Sequence, residues 1–510
     1  MRKRLITFLA VVAALAVITG CSSGSGGSDK STIRLAYLDQ IAGGIDPASF
    51  YSVEGDDMIL ATYETLLTYR PGTIQLAPSL AKSWAVSPDG KAYTFHLRTG
   101  VTFHDGTPFN ADAVKKSFER AIAVKGGPSY MLKSVQTIDT PDPQTVVIHL
   151  SRPQSAFLDY NASMYGPKIV SPTAVTKHSV GNDHATKWLS QHEAGTGPYY
   201  LASYKPAGPF VLKRYAHYWG TPGKTETIEI SVVPNVGDQI LQLRSGQLDL
   251  LTHGIDPKQI PSLDSDPNID VKQFPAAIRP VMMLNATKPP FNDPKARAAF
   301  VADMDAAGAA RQVYAGAADQ VKTVVPPILM PAADNPLPDP GPPAKAPTGR
   351  QITLGYTNLE TDLRRLGEVM RQSLQSHGWN VKLQADSSAA QFGYETNPKK
   401  APNAAISTFN PDAGHPATWL NPIYETASGL NLLGYSDRGL DTALESALAT
   451  VSREGGMRLY SQVAQKAGAS WYTTGIADKH DVIAARSNIS GFSHVPVYIW
   501  VVKLAELEKR

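Results

Sequence analysis

Cys21 is the only cysteine in the 510-residue chain, so no disulfide can close within it and its fold must be held by burial and hydrogen bonding. The residues ahead of that cysteine account for its position. Arg2, Lys3 and Arg4 make a basic start, residues 5–20 are almost unbroken in apolar side chains, and the stretch closes on Ile18-Thr19-Gly20-Cys21. A membrane-spanning helix needs about 20 apolar residues. This run is shorter and ends in small residues beside a thiol, so 1–20 reads as a secretory signal that is cleaved. Cys21 is then the expected carrier of a thioether-linked diacylglycerol. Residues 21–31, built on Ser22-Ser23-Gly24-Ser25-Gly26-Gly27-Ser28, read as a flexible tether.

Removing the signal takes three of the 48 Lys and Arg residues and leaves 45 against 45 Asp and Glu, a formally neutral body. The basic excess belongs to the leader, which argues against a nucleic-acid surface or a polybasic membrane patch. With 42% apolar and 18% charged residues, a body of this length can bury large cores, and two or more domains are expected.

Residues 33–37 alternate as a strand, and 60–68 read as a short helix or turn. Ser87-Pro88-Asp89-Gly90 has proline and glycine where turn geometry wants them, and Tyr93, Phe95 and Leu97 then alternate with Thr94, His96 and Arg98, which predicts a hairpin. After a second turn, His104-Asp105-Gly106-Thr107, Asn110 is placed to cap a helix carrying Val114, Phe118 and Ala121 on one face. Between Pro326 and Pro347 proline is so dense that a helix cannot continue, and an extended surface loop is expected.

The run 76–121 resembles the hallmark of the family 5 extracellular solute-binding proteins, the dipeptide-, oligopeptide- and nickel-binding group. Further blocks resemble that family in the same order: Gly195-Thr196-Gly197-Pro198-Tyr199, the aromatic pair before glycine in 215–220, the Gly-x-x-Asp that ends 241–249, Asn285 with Pro289-Pro290-Phe291-Asn292-Asp293 and Arg297, and 487–492 as the return crossing. The likeness spans residues 32 to 505.

The resemblance implies an α/β, two-lobe fold of the periplasmic-binding-protein-like class II type, with an extra subdomain in lobe I and two hinge crossings. Lobe I would be 32–278 with the subdomain near 72–190, lobe II 279–487, and 488–510 the return to lobe I. The implied function is that of an extracytoplasmic substrate-binding lipoprotein of an ABC transporter, a monomer held by its lipid on the outer face of the membrane. It would close its lobes on a short peptide and present it to permease subunits, with no cofactor and no catalysis. A nickel chelate, an oligosaccharide, an opine-like compound or haem are the alternative solutes.

A zwitterionic peptide enclosed between lobes needs its charges met, because an unpaired buried charge is costly. In peptide-binding members a lobe II aspartate meets the ammonium, in a motif resembling Trp-x-x-Asp-x-Gly-Asp-Pro followed by an aromatic. Here the stretch is Phe409-Asn410-Pro411-Asp412-Ala413-Gly414-His415-Pro416-Ala417-Thr418-Trp419. By that likeness Asp412 is the ammonium contact, Phe409 and Trp419 are the flanking aromatics, and His415 stands where an acid is common. Arg364 lies near the position at which dipeptide-binding relatives pair the carboxylate, a role that suits a guanidinium. The loop 45–54 is expected to line the cleft from lobe I, with Tyr51, Ser52 and Glu54 as candidate contacts.

Trp84, Phe95 and Trp219 read as packing residues. His96, His104, His192 and His217 lie too far apart for a dedicated metal cage. A secreted hydrolase is the rival class. Beyond the leader and tether the chain has no Gly-x-Ser-x-Gly, and His192-Glu193 is not followed by a second metal histidine.

Overall fold

The computed structural model describes residues 30–342, 349–358 and 360–510. The signal 1–20, the lipid-bearing Cys21 and most of the tether 21–31 therefore lie outside the described residues. The first strand, β1 (Thr32–Tyr37), buries Ile33 and Leu35 completely and pairs in parallel with Thr227–Val232. Helix α1 (Asp56–Thr62) begins earlier than the 60–68 stretch suggested, and that stretch continues into the strand Leu67–Tyr69.

The predicted hairpin is β2 (Ala81–Val86) and β3 (Ala92–Leu97), closed by a Gly90 N–H bond to the Ser87 carbonyl at 2.9 Å. Tyr93, Phe95 and Leu97 face inward, as the alternation requires. With Val135–Asp142 and Thr145–Leu150 the pair forms a four-stranded sheet. Helix α2 (Ala111–Val124) covers that sheet, and Asn110 caps it by accepting the Ala113 N–H at 3.0 Å.

The strand β4 (Ile269–Leu284) carries the chain from one lobe to the other. Its first part pairs with β6 (Asp478–Arg486), and from Arg279 onward it pairs with β5 (Ala404–Phe409). Between these lobe II strands run α3 (Thr361–Ser376), α4 (Ala417–Tyr424) and α5 (Arg453–Ala469). Strand β6 makes the return: Asp478 and Lys479 pair with Asp319 and Ala318 on the lobe II side, and Ala484 and Ala485 with Leu251 and Leu250 on the lobe I side. The return crossing thus precedes residues 487–492, of which Ile489–Ser490 pairs instead with Glu508–Lys509.

Where the crossing strands exchange partners, Arg279 is fully buried. Its Nε donates to Asp478 at 2.7 Å and its Nη1 to the Thr323 and Val324 carbonyls at 2.7 and 2.9 Å. Every donor of a buried guanidinium must be met, and here two crossing strands and a loop meet them.

The proline-rich stretch runs exposed at 331–334, 336, 339 and 342, as a surface loop should, and is pinned to the body at a few points. Val325, Leu329, Met330 and Asn335 are buried, and a short 3₁₀ turn forms at Ala332–Asp334. Asn335 explains it: its amide donates to the Met330 and Pro331 carbonyls and accepts the Val325 N–H at 2.8 Å. One side chain supplies the bonds that proline backbone cannot make. Residues 343–348 lie outside the described part.

Candidate functional site

Strand β5 ends at Phe409, and residues 410–416 loop toward lobe I before α4 begins. Thr418 Oγ1 donates to the Ala413 and His415 carbonyls, both at 2.8 Å, which folds the loop back on the first turn of the helix. Asp412 is thereby held at the face where the lobes meet. Its Oδ2 accepts the Tyr51 hydroxyl at 2.7 Å and the Tyr130 hydroxyl at 2.5 Å, both from lobe I. The Ser163 hydroxyl, also from lobe I, donates to the Asp412 carbonyl at 2.5 Å.

The half-buried Asp412 carboxyl is pushed above the usual carboxylate range by burial, with the two tyrosine hydroxyls pulling the other way. Among the described residues its donors are neutral: no lysine, arginine or histidine forms an ion pair with it. Such a carboxylate lacks a counter-charge.

The other predicted residues fall into distinct settings. Tyr51 is 49% exposed and packs edge-on against Tyr165 at 4.7 Å. Ser52 is half-buried, and its hydroxyl accepts the Glu54 N–H at 3.3 Å. Glu54 is buried and occupied, its Oε1 taking the Leu38 N–H at 3.2 Å and lying 3.0 Å from His253 Nε2. It ties the loop 45–54 to Leu38 and His253. Phe409 and Trp419 are 6% and 3% exposed and meet edge-on at 6.5 Å, and the Arg279 guanidinium lies 5.7 Å above the Trp419 ring. They back the loop and stand away from open space.

Arg364 requires a correction. Leu363 and Leu366 are fully buried on α3, and this phase turns Arg364 outward, 59% exposed, toward Glu368 one turn on at 3.9 Å. Its neighbour Arg365, on the face away from that stripe, is covered by lobe I and pairs with Asp256 at 2.9 Å. His415 is wholly buried, and burial pushes its imidazole down to about 3, so it is neutral.

Two features escaped the sequence reading. Tyr130 lies on the short 3₁₀ helix Gly127–Leu132, and the Gly126-Gly127-Pro128 turn ahead of it is the signal that marks a shaped loop. Glu64 is the point at which two conspicuous motifs converge. It accepts Thr196 Oγ1 at 2.8 Å, Trp219 Nε1 at 2.9 Å and Tyr218 OH at 3.0 Å. Gly195 and Gly197 are required there, since a Cβ would lie 2.0 Å from the Thr62 carbonyl oxygen and 2.3 Å from that of Ala61. A cavity of about 500 Å³ beside Glu64 is lined by lobe I residues and contains none of the predicted contacts. Among the described residues no group of three or more His, Cys, Asp or Glu side chains is arranged to hold a metal.

Residues 75–431 match the family described as bacterial extracellular solute-binding proteins, family 5 middle. The chain is 26% identical over 484 residues to a probable D,D-dipeptide-binding periplasmic protein, DdpA, of Escherichia coli K12, covering 91% of this chain and 92% of that one. It is 28% identical over 412 residues to the glutathione-binding protein GsiB of Shigella flexneri, covering 76% and 77%. The solved structure of the periplasmic binding protein DppA of Helicobacter pylori, in complex with the peptide STSA, shares the fold at a TM-score of 0.76 and 21% identity, covering 94% of this chain and 98% of that one. The chain belongs to the family 5 extracellular solute-binding proteins of ABC importers, and is a binding protein with no enzymatic role.

Proposed function

We propose that the chain is a lipid-anchored receptor for short peptides, closing lobe I (32–278 and 488–510) and lobe II (279–487) around a ligand whose ammonium is met by Asp412. The observation that carries this reading is the Asp412 carboxylate itself. It sits between the lobes, bonded by two neutral hydroxyls and by no cation among the described residues. A peptide ammonium supplies the missing positive charge, and the desolvated setting strengthens a charge-assisted bond. Tyr51 and Tyr130 orient the acid from lobe I, and Ser52 and backbone of the loop 45–54 are left to hold the peptide main chain. Relatives described as binding a D,D-dipeptide and glutathione are in keeping with a small amine-bearing solute. Arg364 has no part in it, and the ligand's carboxylate is met elsewhere.

The anchor rests on Ile18-Thr19-Gly20-Cys21 and the absence of any other cysteine in the sequence. Mass spectrometry of small molecules released by denaturing protein purified from its native host tests the ligand class. The reading expects peptides with a free amino end. Recovery of a sugar or of haem would reject it.

A further inference from the structure

Arg453, the first residue of α5, sends its side chain out of lobe II. Its Nε donates to Asp159 Oδ2 at 2.9 Å and its Nη2 to Asp159 Oδ1 at 3.2 Å, a two-pronged contact with a lobe I carboxylate whose side chain is 0% exposed. The same Nη2 donates to the Gly414 carbonyl at 2.9 Å, two residues beyond Asp412. Tyr69 of lobe I completes the arrangement: its hydroxyl accepts the Gly414 N–H at 2.8 Å and donates to Asp159 at 3.2 Å. One lobe II guanidinium and one lobe I hydroxyl therefore hold the two backbone polar groups of Gly414, and the Asp159 carboxylate ties those two holders together.

Lobe II offers Arg453 no ion-pair partner among the described residues. The buried ring nearest in sequence to the gripped glycine, His415, is held neutral by burial and by the charge of Arg453 itself. The counter-charge comes only from the opposite lobe. When the lobes part, the pair is broken and both groups return to water.

We propose that Arg453 and Asp159 form an interlobe latch, with Arg453 a positioning residue that sets the Asp412 loop only when the cleft is shut. The loop-setting half rests on the reading of Asp412 as the ligand contact, and the closure half does not. An intact buried pair adds little net stability, because desolvation offsets attraction. Removing one partner leaves the other buried and unpaired in the closed form alone, so the effect falls on closure and on ligand release.

The test uses the full chain carrying Cys21→Ser, with dyes on Val180→Cys in lobe I and Phe392→Cys in lobe II, both exposed in the native fold. In ligand-free protein, Asp159→Asn should lower energy transfer between the dyes, and Arg453→Gln should do the same. The double variant should be no worse than either, and Arg453→Lys should fall between. With alanyl-alanine as probe, Asp159→Asn should speed release at least about tenfold while changing association less than about threefold. The ratio of affinities for alanyl-alanine and its N-acetyl form should stay near the wild-type value in Asp159→Asn and fall at least about threefold in Arg453→Gln, which also loses the Gly414 contact; an unchanged ratio in Arg453→Gln would overturn the loop-setting half. Unchanged energy transfer and release would overturn the latch, and so would a lowered melting temperature with wild-type interlobe distance and release. Failure of alanyl-alanine to bind the wild type would reject the peptide reading, and the ligand-free distances would still decide the latch.

Discussion

Glu64 and Asp412 are both half-buried carboxylates pushed upward by burial and both bonded by tyrosine hydroxyls, yet their donors have opposite origins. Glu64 takes three donors, Thr196, Tyr218 and Trp219, all from its own lobe. Asp412 takes two, Tyr51 and Tyr130, both from the lobe across the cleft. The first acid is satisfied whether the protein is open or shut. The second is satisfied only on closure and keeps capacity for a further donor. Burial and an upward shift are common to both acids; the origin of the donors separates them, and the proposal of Asp412 as the ligand contact rests on that difference.

The largest expected effect belongs to the structural side. Glu64→Ala strands a hydroxyl pair and an indole N–H inside lobe I, and should lower unfolding free energy by about 4 kcal/mol in urea denaturation. Closing the lobes should be unaffected in the surviving folded protein. A loss no greater than that of Asp412→Ala would break the contrast.

Acid sharpens the binding side. His415 is neutral when folded, its pKa lowered from 6.5 to about 3, so the unfolded chain binds its proton first. Stability from this group is present above pH 6.5 and is lost as pH falls toward 3. Between pH 6.5 and 4 the loss should reach about 3 kcal/mol at roughly 1.4 kcal/mol per unit. His415→Gln should flatten that acid limb in a denaturation series, and an unaltered limb would contradict the assignment.

Asp412 has the reverse sign. Its folded pKa is raised, so the folded state holds the proton more tightly and its ionisation costs stability as pH rises from 3.8 through the raised value. Asp412→Asn should therefore be neutral to slightly stabilising above that window, by up to about 1 kcal/mol, in thermal denaturation at neutral pH. A substantial destabilisation would make it a structural acid like Glu64. Smallest of all, Arg364→Ala should change neither peptide affinity nor stability by more than about 0.5 kcal/mol, as befits an exposed i,i+4 pair, which calorimetry and melting curves would check.

Local chemistry was the legible part of this chain. Ser87-Pro88-Asp89-Gly90 and Asn110 specify a turn and a cap within a few residues of themselves, and both formed as expected. The order of motifs conveyed the two-lobe fold. What stayed hidden was long-range: the donors of Glu64 are 132 to 155 residues away, and Arg453 and Asp159 are 294 apart. Arg364 and Arg365 both lie off the apolar stripe of α3, so helix phase alone does not tell them apart, and Arg365 is covered only because Asp256 of lobe I meets it. In the segment after Pro326, proline content suggested exposure, which holds for 331–334, while one asparagine amide replaces missing backbone donors and pins the loop at Asn335.

The central claim is that a lobe II carboxylate neutralises the ligand's amino end across the closed cleft. Paired calorimetric titrations of wild type and Asp412→Asn with alanyl-alanine and N-acetyl-alanyl-alanine test it most directly. The account predicts that the substitution weakens the free-amine peptide about 30-fold, near 2 kcal/mol, and leaves the weak acetylated one almost untouched. Equal losses for both peptides would contradict it.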